Sequence, residues 1–125
     1  MKSRLAILLW STAPASPHLC ATPFFHTAAA AALDAEVEIH FSASSVLLLV
    51  NGTAAALFGD ELRSRSIYDH MQQASRLGAR FLACSDALDA HRVGREVLIP
   101  EVNGVAGAAA FVGRALDPDW VTLVF

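Results

Sequence analysis

Short apolar runs of strand length recur along this 125-residue chain, and each is separated from the next by a segment with helical period or helix-capping residues. Parallel neighbours in a sheet need a crossover, usually a helix, so strands alternating with helices build a mostly parallel sheet covered on both faces. The first run, residues 5–10, is closed by Ser11, Thr12 and Pro14 as a turn closes a buried strand. Thr22 as N-cap and Pro23 at the first helical position then predict a largely buried, alanine-rich helix over 24–33. In the strand Glu36–Phe41, Val37, Ile39 and Phe41 alternate with Glu38 and His40.

After a loop at 42–45 comes the apolar run 46–50, a further strand-length candidate, and Asn51-Gly52 marks a turn. Residues 53–65 read as a mobile segment. Ser66 and Asp69 form a capping box for a helix carrying Ile67, Met71, Ala74 and Leu77 on one face, and Gly78 stops it. The strand 80–84, a short helix over 86–91, a loop or short strand near 97–102, a small-residue helix over 104–116 and a closing strand over 120–125 complete the order. The expected fold is α/β: one three-layer domain with a mostly parallel five- or six-stranded sheet.

Lys2 and Arg4 ahead of an apolar run, with no acidic residue before Asp34, resemble an export signal. The apolar core of that run is shorter than an export signal uses, and Leu19 before Cys20 departs from a lipoprotein cleavage site, so the run is assigned to the first strand. No uninterrupted apolar stretch nears the roughly 18 residues of a bilayer span, and no membrane association is expected. Yet 54% of the residues are apolar and only 17% charged, an excess that burial between subunits absorbs. A net charge of −3 without a basic cluster argues against a nucleic-acid partner. Two cysteines, Cys20 and Cys84, make neither a disulfide framework nor a Cys-x-x-Cys metal motif, which suits a reducing cytoplasm.

Candidate chemistry centres on "FLACSDAL", residues 81–88. Open parallel sheets place their sites at the carboxyl ends of strands, where Cys84 stands between a strand and a helix. The positive end of the helix dipole favours a thiolate there, whereas Asp86 and Asp89 disfavour it. Ser85, Cys20 and His91 are the possible auxiliary residues: Cys20 as a resolving thiol from the loop after the first strand, and His91 as base or hydrogen-bond partner. His18, Cys20 and His26 share that loop and the helix behind it, but their spacing is too common to predict a metal. Glu38 and His40 read as the polar face of a strand, and His70 as the outer face of its helix. Gly104 and Gly107 suit helix packing rather than a phosphate loop, and no cofactor is expected.

The order of elements, the stretch "RFLACSDALDAHRV" and the ending "GVAGAAAFVGRALDPDWVTLVF" resemble the DsrE/DsrF-like family over nearly the whole chain. The resemblance implies a small flavodoxin-like domain, assembly as a homotrimer or homohexamer, and a cysteine at the position of Cys84 that carries a persulfide between donor and acceptor proteins. Asp89, His91 and Arg92 stand where relay members usually have basic residues and a glycine. The function expected is therefore thiol-based sulfur handling through Cys84. The alternative is a non-catalytic binding or assembly module of the same fold, holding a small ligand between subunits near the loops after Trp10 and Phe41.

Overall fold

A computed structural model describes residues 2–125. Five strands, β1 (Arg4–Leu9), β2 (Glu36–Phe41), β3 (Arg80–Ala83), β4 (Val102–Val105) and β5 (Val121–Val124), form one parallel sheet in the order β4-β3-β2-β1-β5. The chain steps from β1 to β4 in one direction through α1 (Thr22–Ala32), α2 (Ile67–Arg76) and α3 (Ser85–Ala90). It then returns through α4 (Ala108–Ala115) to β5 on the far side of β1. Crossovers of one hand put helices reached by opposite directions of travel on opposite faces. The side chains agree, because Phe24 of α1 packs on Phe41 and Phe81 whereas Phe111 and Arg114 of α4 meet His40 and Glu38. This is the three-layer arrangement the strand and helix signals predict and the flavodoxin-like one the resemblance implies.

The principal core lies under α1 and α2. Ile7, Leu9, Ile39, Phe41 and Phe81 point to that face at the period of two, and Phe24, Ile67 and Met71 close over them, all at most 2% exposed. Phe24, Phe41 and Phe81 form a ring cluster with centroids 5.3–6.4 Å apart. Burying one such ring contributes roughly 2–3 kcal/mol, so this cluster is a main anchor of the helical layer. The capping box of α2 forms as its spacing predicts, with Asp69 N–H donating to Ser66 Oγ and Ser66 N–H to Asp69 Oδ2. Gly78, with φ of 100°, ends the helix in the left-handed region.

Four local expectations are corrected. The run 46–50 is no sixth strand: Ala43–Leu49 is a 3-10 helix that buries Val46, Leu48 and Leu49, and a continuous apolar run has no period to separate the two. The fourth strand is Val102–Val105, and the last helix begins at Ala108 rather than 104. A register shift opposite Phe81 and Leu82 leaves Asn103 out of the ladder, and its Oδ1 accepts the Phe81 N–H at 2.7 Å, so Asn103 substitutes for the lost strand bond. Helix α1 is capped at Ala21 without a side-chain bond, and only Pro23, Phe24 and Thr27 are buried, because nothing covers its outer alanines in the single chain. Within the segment 53–65, Ala54–Ala56 forms a one-turn 3-10 helix and Phe58 bridges to Ser66, while the residues between Phe58 and Ser66 are turns, bends and irregular chain.

No helix among the described residues is long and apolar enough to cross a membrane. Apolar side chains nevertheless face outward on α4 and β5, with Val112 49%, Leu116 80%, Val121 65% and Val124 54% exposed.

Candidate functional site

Strand β3 delivers Cys84 to the carboxyl edge of the sheet. Cys84 N–H donates to Phe41 O at 2.9 Å, which continues the parallel ladder by one residue, and Cys84 O accepts Leu88 N–H at 3.0 Å as the first bond of α3. The backbone at Cys84 is extended, with φ −68° and ψ 122°, and its side chain makes no capping bond. The thiol is half-buried and faces a cavity of about 210 Å³ on the α4 side of the sheet. Leu8, Ala106, Phe111 and Val112 give that cavity apolar walls, Gly107 and Ala108 bring the start of α4 to its edge, and His40 and Ser42 add the other polar groups. Among the described residues lining it there is no carboxylate and no ammonium or guanidinium.

The loop after β2 is fixed at this edge by the carbonyl of Leu9, which accepts Ser42 N–H at 2.9 Å, Ser42 Oγ–H at 2.6 Å and Ser45 Oγ–H at 2.9 Å. Ala43 follows in the left-handed region, φ 49°, and turns the chain away from Cys84 into its 3-10 helix.

The most consequential departure from expectation lies beside the thiol. Glu38 and His40 are each only 5% exposed, not members of a solvated strand face, because α4 covers them. His40 Nε2 lies 3.2 Å from Glu38 Oε1. Arg114 donates Nε–H to Glu38 Oε1 at 3.0 Å and Nη2–H to Oε2 at 2.9 Å, and its guanidinium lies 4.1 Å from the Trp120 ring centroid. Burial pushes the Glu38 carboxyl up, but hydrogen bonds from Arg114 and His40 outweigh it and hold the group below its ordinary value. For His40 burial dominates, and the imidazole is held below its ordinary value despite Glu38. The sequence signal for this cluster was a pairing of spacings: Phe111 and Arg114 share a helix face three residues apart, and Glu38 and His40 share a strand face two apart.

The proposed auxiliaries are dispersed. Ser85 opens α3 near Gly107, whose added Cβ would stand 3.6 Å from Ser85 Oγ. His91 is exposed at the C-cap of α3 and does not line the cavity. Cys20 is fully buried in the core on the other side of the sheet, with Sγ 3.3 Å from Ala13 O, and burial pushes its thiol up to about 11. His26 turns its Nδ1 to Thr22 O at 2.9 Å and packs on Phe125. Among the described residues no group of three His, Cys, Asp or Glu is placed to hold a metal. His70 is half-buried against Phe25 rather than on the outer face. A larger cleft of about 540 Å³ lies at the amino edge, where Lys2–Asp34, Arg4–Glu36 and Arg114–Glu38 pair and Arg80 stands 3.8 Å from Glu38, but no thiol, hydroxyl or imidazole among the described residues lines it, so the smaller cavity with the open thiol is the candidate site.

No protein-family model matches the sequence, and no curated protein matches it. Solved structures do. MTH1491 from Methanobacterium thermoautotrophicum, a protein of unknown function, is 16% identical with a TM-score of 0.70 over 99% of this chain and 100% of its own. The ychN protein from E. coli is 15% identical with a TM-score of 0.69 over the whole of both chains. These likenesses establish a shared fold.

Proposed function

We propose that the protein is a DsrE-like sulfur carrier in which Cys84 accepts a sulfane sulfur as a persulfide and passes it to a second thiol. The observation behind this reading is the placement of Cys84: a half-buried thiol with no capping bond, at the carboxyl end of a strand, facing a largely apolar cavity of about 210 Å³ that has room for a small sulfur species. A persulfide is prone to reduction and exchange in bulk water, and a small apolar recess limits both. The structural likeness to MTH1491 and ychN supports the fold side of the reading. Donor and acceptor are thiol-bearing partners, and the site of action is the cytoplasm.

Assembly belongs to the same reading. Val112 lines the cavity and is also half exposed on α4, and the exposed Val124 of β5 pairs with Leu8 of the cavity wall, so a neighbouring copy packed on α4 and β5 adds an outer wall beside Cys84. The expected state is a homotrimer or homohexamer.

Treating wild type, Cys84→Ser and Cys20→Ser with polysulfide and weighing the intact products tests the carrier reading. One added sulfur is expected in wild type and Cys20→Ser, and none in Cys84→Ser. Retention of the gain in Cys84→Ser overturns the reading and leaves a ligand-binding or assembly module as the better account.

A further inference from the structure

The thiol cavity and the buried ion cluster meet at a single residue, His40, which lines the first and is bonded into the second. We propose, on the basis of the carrier reading above, that His40 is the acid–base residue of the sulfur transfer and that the donor is an organic persulfide of low charge. In that role it takes the Cys84 proton as the sulfur attacks and returns it to the thiol that leaves.

The geometry assigns the nitrogens. Glu38 is ionised because both its oxygens accept from Arg114, so its Oε1 accepts from His40, and Nε2 carries the hydrogen. Nδ1 is then the basic nitrogen of the neutral ring. The Phe111 ring stands edge-on to the imidazole, centroids 5.4 Å apart, and restricts its rotation. Register fixes the distance scale: His40 lies opposite Leu82 on β3, and Cys84 is two residues further on along the same face. Diagonal neighbours on one sheet face stand roughly 7–8 Å apart at the backbone, within reach of long side chains, so the sulfur being transferred or one water bridges the imidazole and the thiol.

The charged and titratable groups around His40 come from three elements: Glu38 on β2, Arg114 on α4, and Arg80 on β3, which lies 3.8 Å from Glu38. From β1 the opposed residue is Leu8. Burial keeps the imidazole neutral at neutral pH, the form a base requires, and Glu38 stabilises the imidazolium that forms in passing.

The step balances without another reactant. Cys84 Sγ forms a bond to the outer sulfur of R–S–SH as the donor's own S–S bond breaks, and the electron pair stays on the inner sulfur. That sulfur takes the proton from His40, so Cys84–SH and R–S–SH become Cys84–S–SH and R–SH. Cys84 gains the oxidation level the donor gives up. With no cationic group on its lining, the cavity suits a small persulfide better than a doubly charged donor such as thiosulfate.

Single-turnover loading of Cys84 by cysteine persulfide, followed by mass across pH, tests the assignment in wild type and His40→Gln. The variant is expected to load at least tenfold more slowly at pH 7 and to lose the acid limb of the wild-type profile. Equal rates and profiles overturn the role of His40 while leaving the carrier reading intact; a wild type that never gains sulfur at Cys84 overturns the carrier reading itself. If His40→Gln does not fold, imidazole 15N shifts of wild type decide. An Nε2–H tautomer whose titration midpoint coincides with the acid limb of loading supports the assignment, and an Nδ1–H tautomer or a separate midpoint refutes it.

Discussion

Replacing Arg114 by Met tests the ion cluster on which both the covered face and the position of His40 depend. Arg114 supplies two charge-assisted hydrogen bonds to Glu38, whose side chain is 6% exposed, and its own side chain is 37% exposed. Removal leaves the buried carboxylate with His40 at 3.2 Å and Arg80 at 3.8 Å. Deleting one partner of a fully buried pair costs about 3–5 kcal/mol. Solvent already reaches Arg114 and Arg80 stands close by, so the cost here is about 2–3 kcal/mol, or roughly 10 °C in Tm for a domain of this size.

The pH dependence carries the sign. Glu38 is held below its ordinary value of 4.5 in the fold, so its contribution is present above that value and is lost as pH falls through the folded one. The gap between wild type and Arg114→Met is therefore expected to narrow toward acid pH, and Glu38→Leu combined with Arg114→Met is expected to recover most of the loss. Thermal and urea unfolding followed by circular dichroism measure all of this. An Arg114→Met protein within about 0.5 kcal/mol of wild type at pH 7, or a gap constant with pH, refutes the reasoning.

Cys20 makes the opposite prediction at alkaline pH. Its folded value of about 11 lies above the ordinary 9.0, so the stability it contributes is complete below 9.0 and is lost as pH rises through the folded value. Cys20→Ala is expected to remove that alkaline loss, read as the change in urea midpoint between pH 8 and pH 10.5; an unchanged midpoint difference contradicts the burial account. Light scattering is expected to give a trimer or hexamer at micromolar concentration, and Val112→Arg or Val124→Glu to dissociate it. A monomeric wild type removes the interface on α4 and β5.

Local physics made much of this fold legible. The strand Glu36–Phe41, the Ser66–Asp69 capping box and the strand leading into Cys84 depend on residues within one element, and each forms as expected. What stayed hidden depends on distant partners. Val102–Val105 contains Asn and Gly, which weaken any strand signal, and it is held by an Asn103 bond to a residue 22 positions away. Glu38 and His40 looked like a solvated face because their cover, Arg114 and Phe111, arrives only when the chain reverses direction across the sheet, with Arg114 76 residues after Glu38. The place of Cys84 at the carboxyl edge was legible because topology alone puts it there; the burial of His40 beside the same cavity was not, because cover on that face is set by α4. Cys20 and His91 were plausible by sequence distance, and the sheet and the short helix α3 hold them apart from the cavity.

The most direct test of the carrier claim is the fate of a loaded sulfur. Wild-type protein charged with polysulfide, freed of excess reagent and given a small acceptor thiol, is followed by intact mass while the acceptor is analysed for persulfide and the solution for sulfide. A carrier directs attack to the outer sulfur, so Cys84 is expected to return to its unmodified mass as the acceptor gains one sulfur. Release of sulfide with the acceptor left in a mixed disulfide on Cys84 means attack at the inner sulfur, and that result contradicts the account.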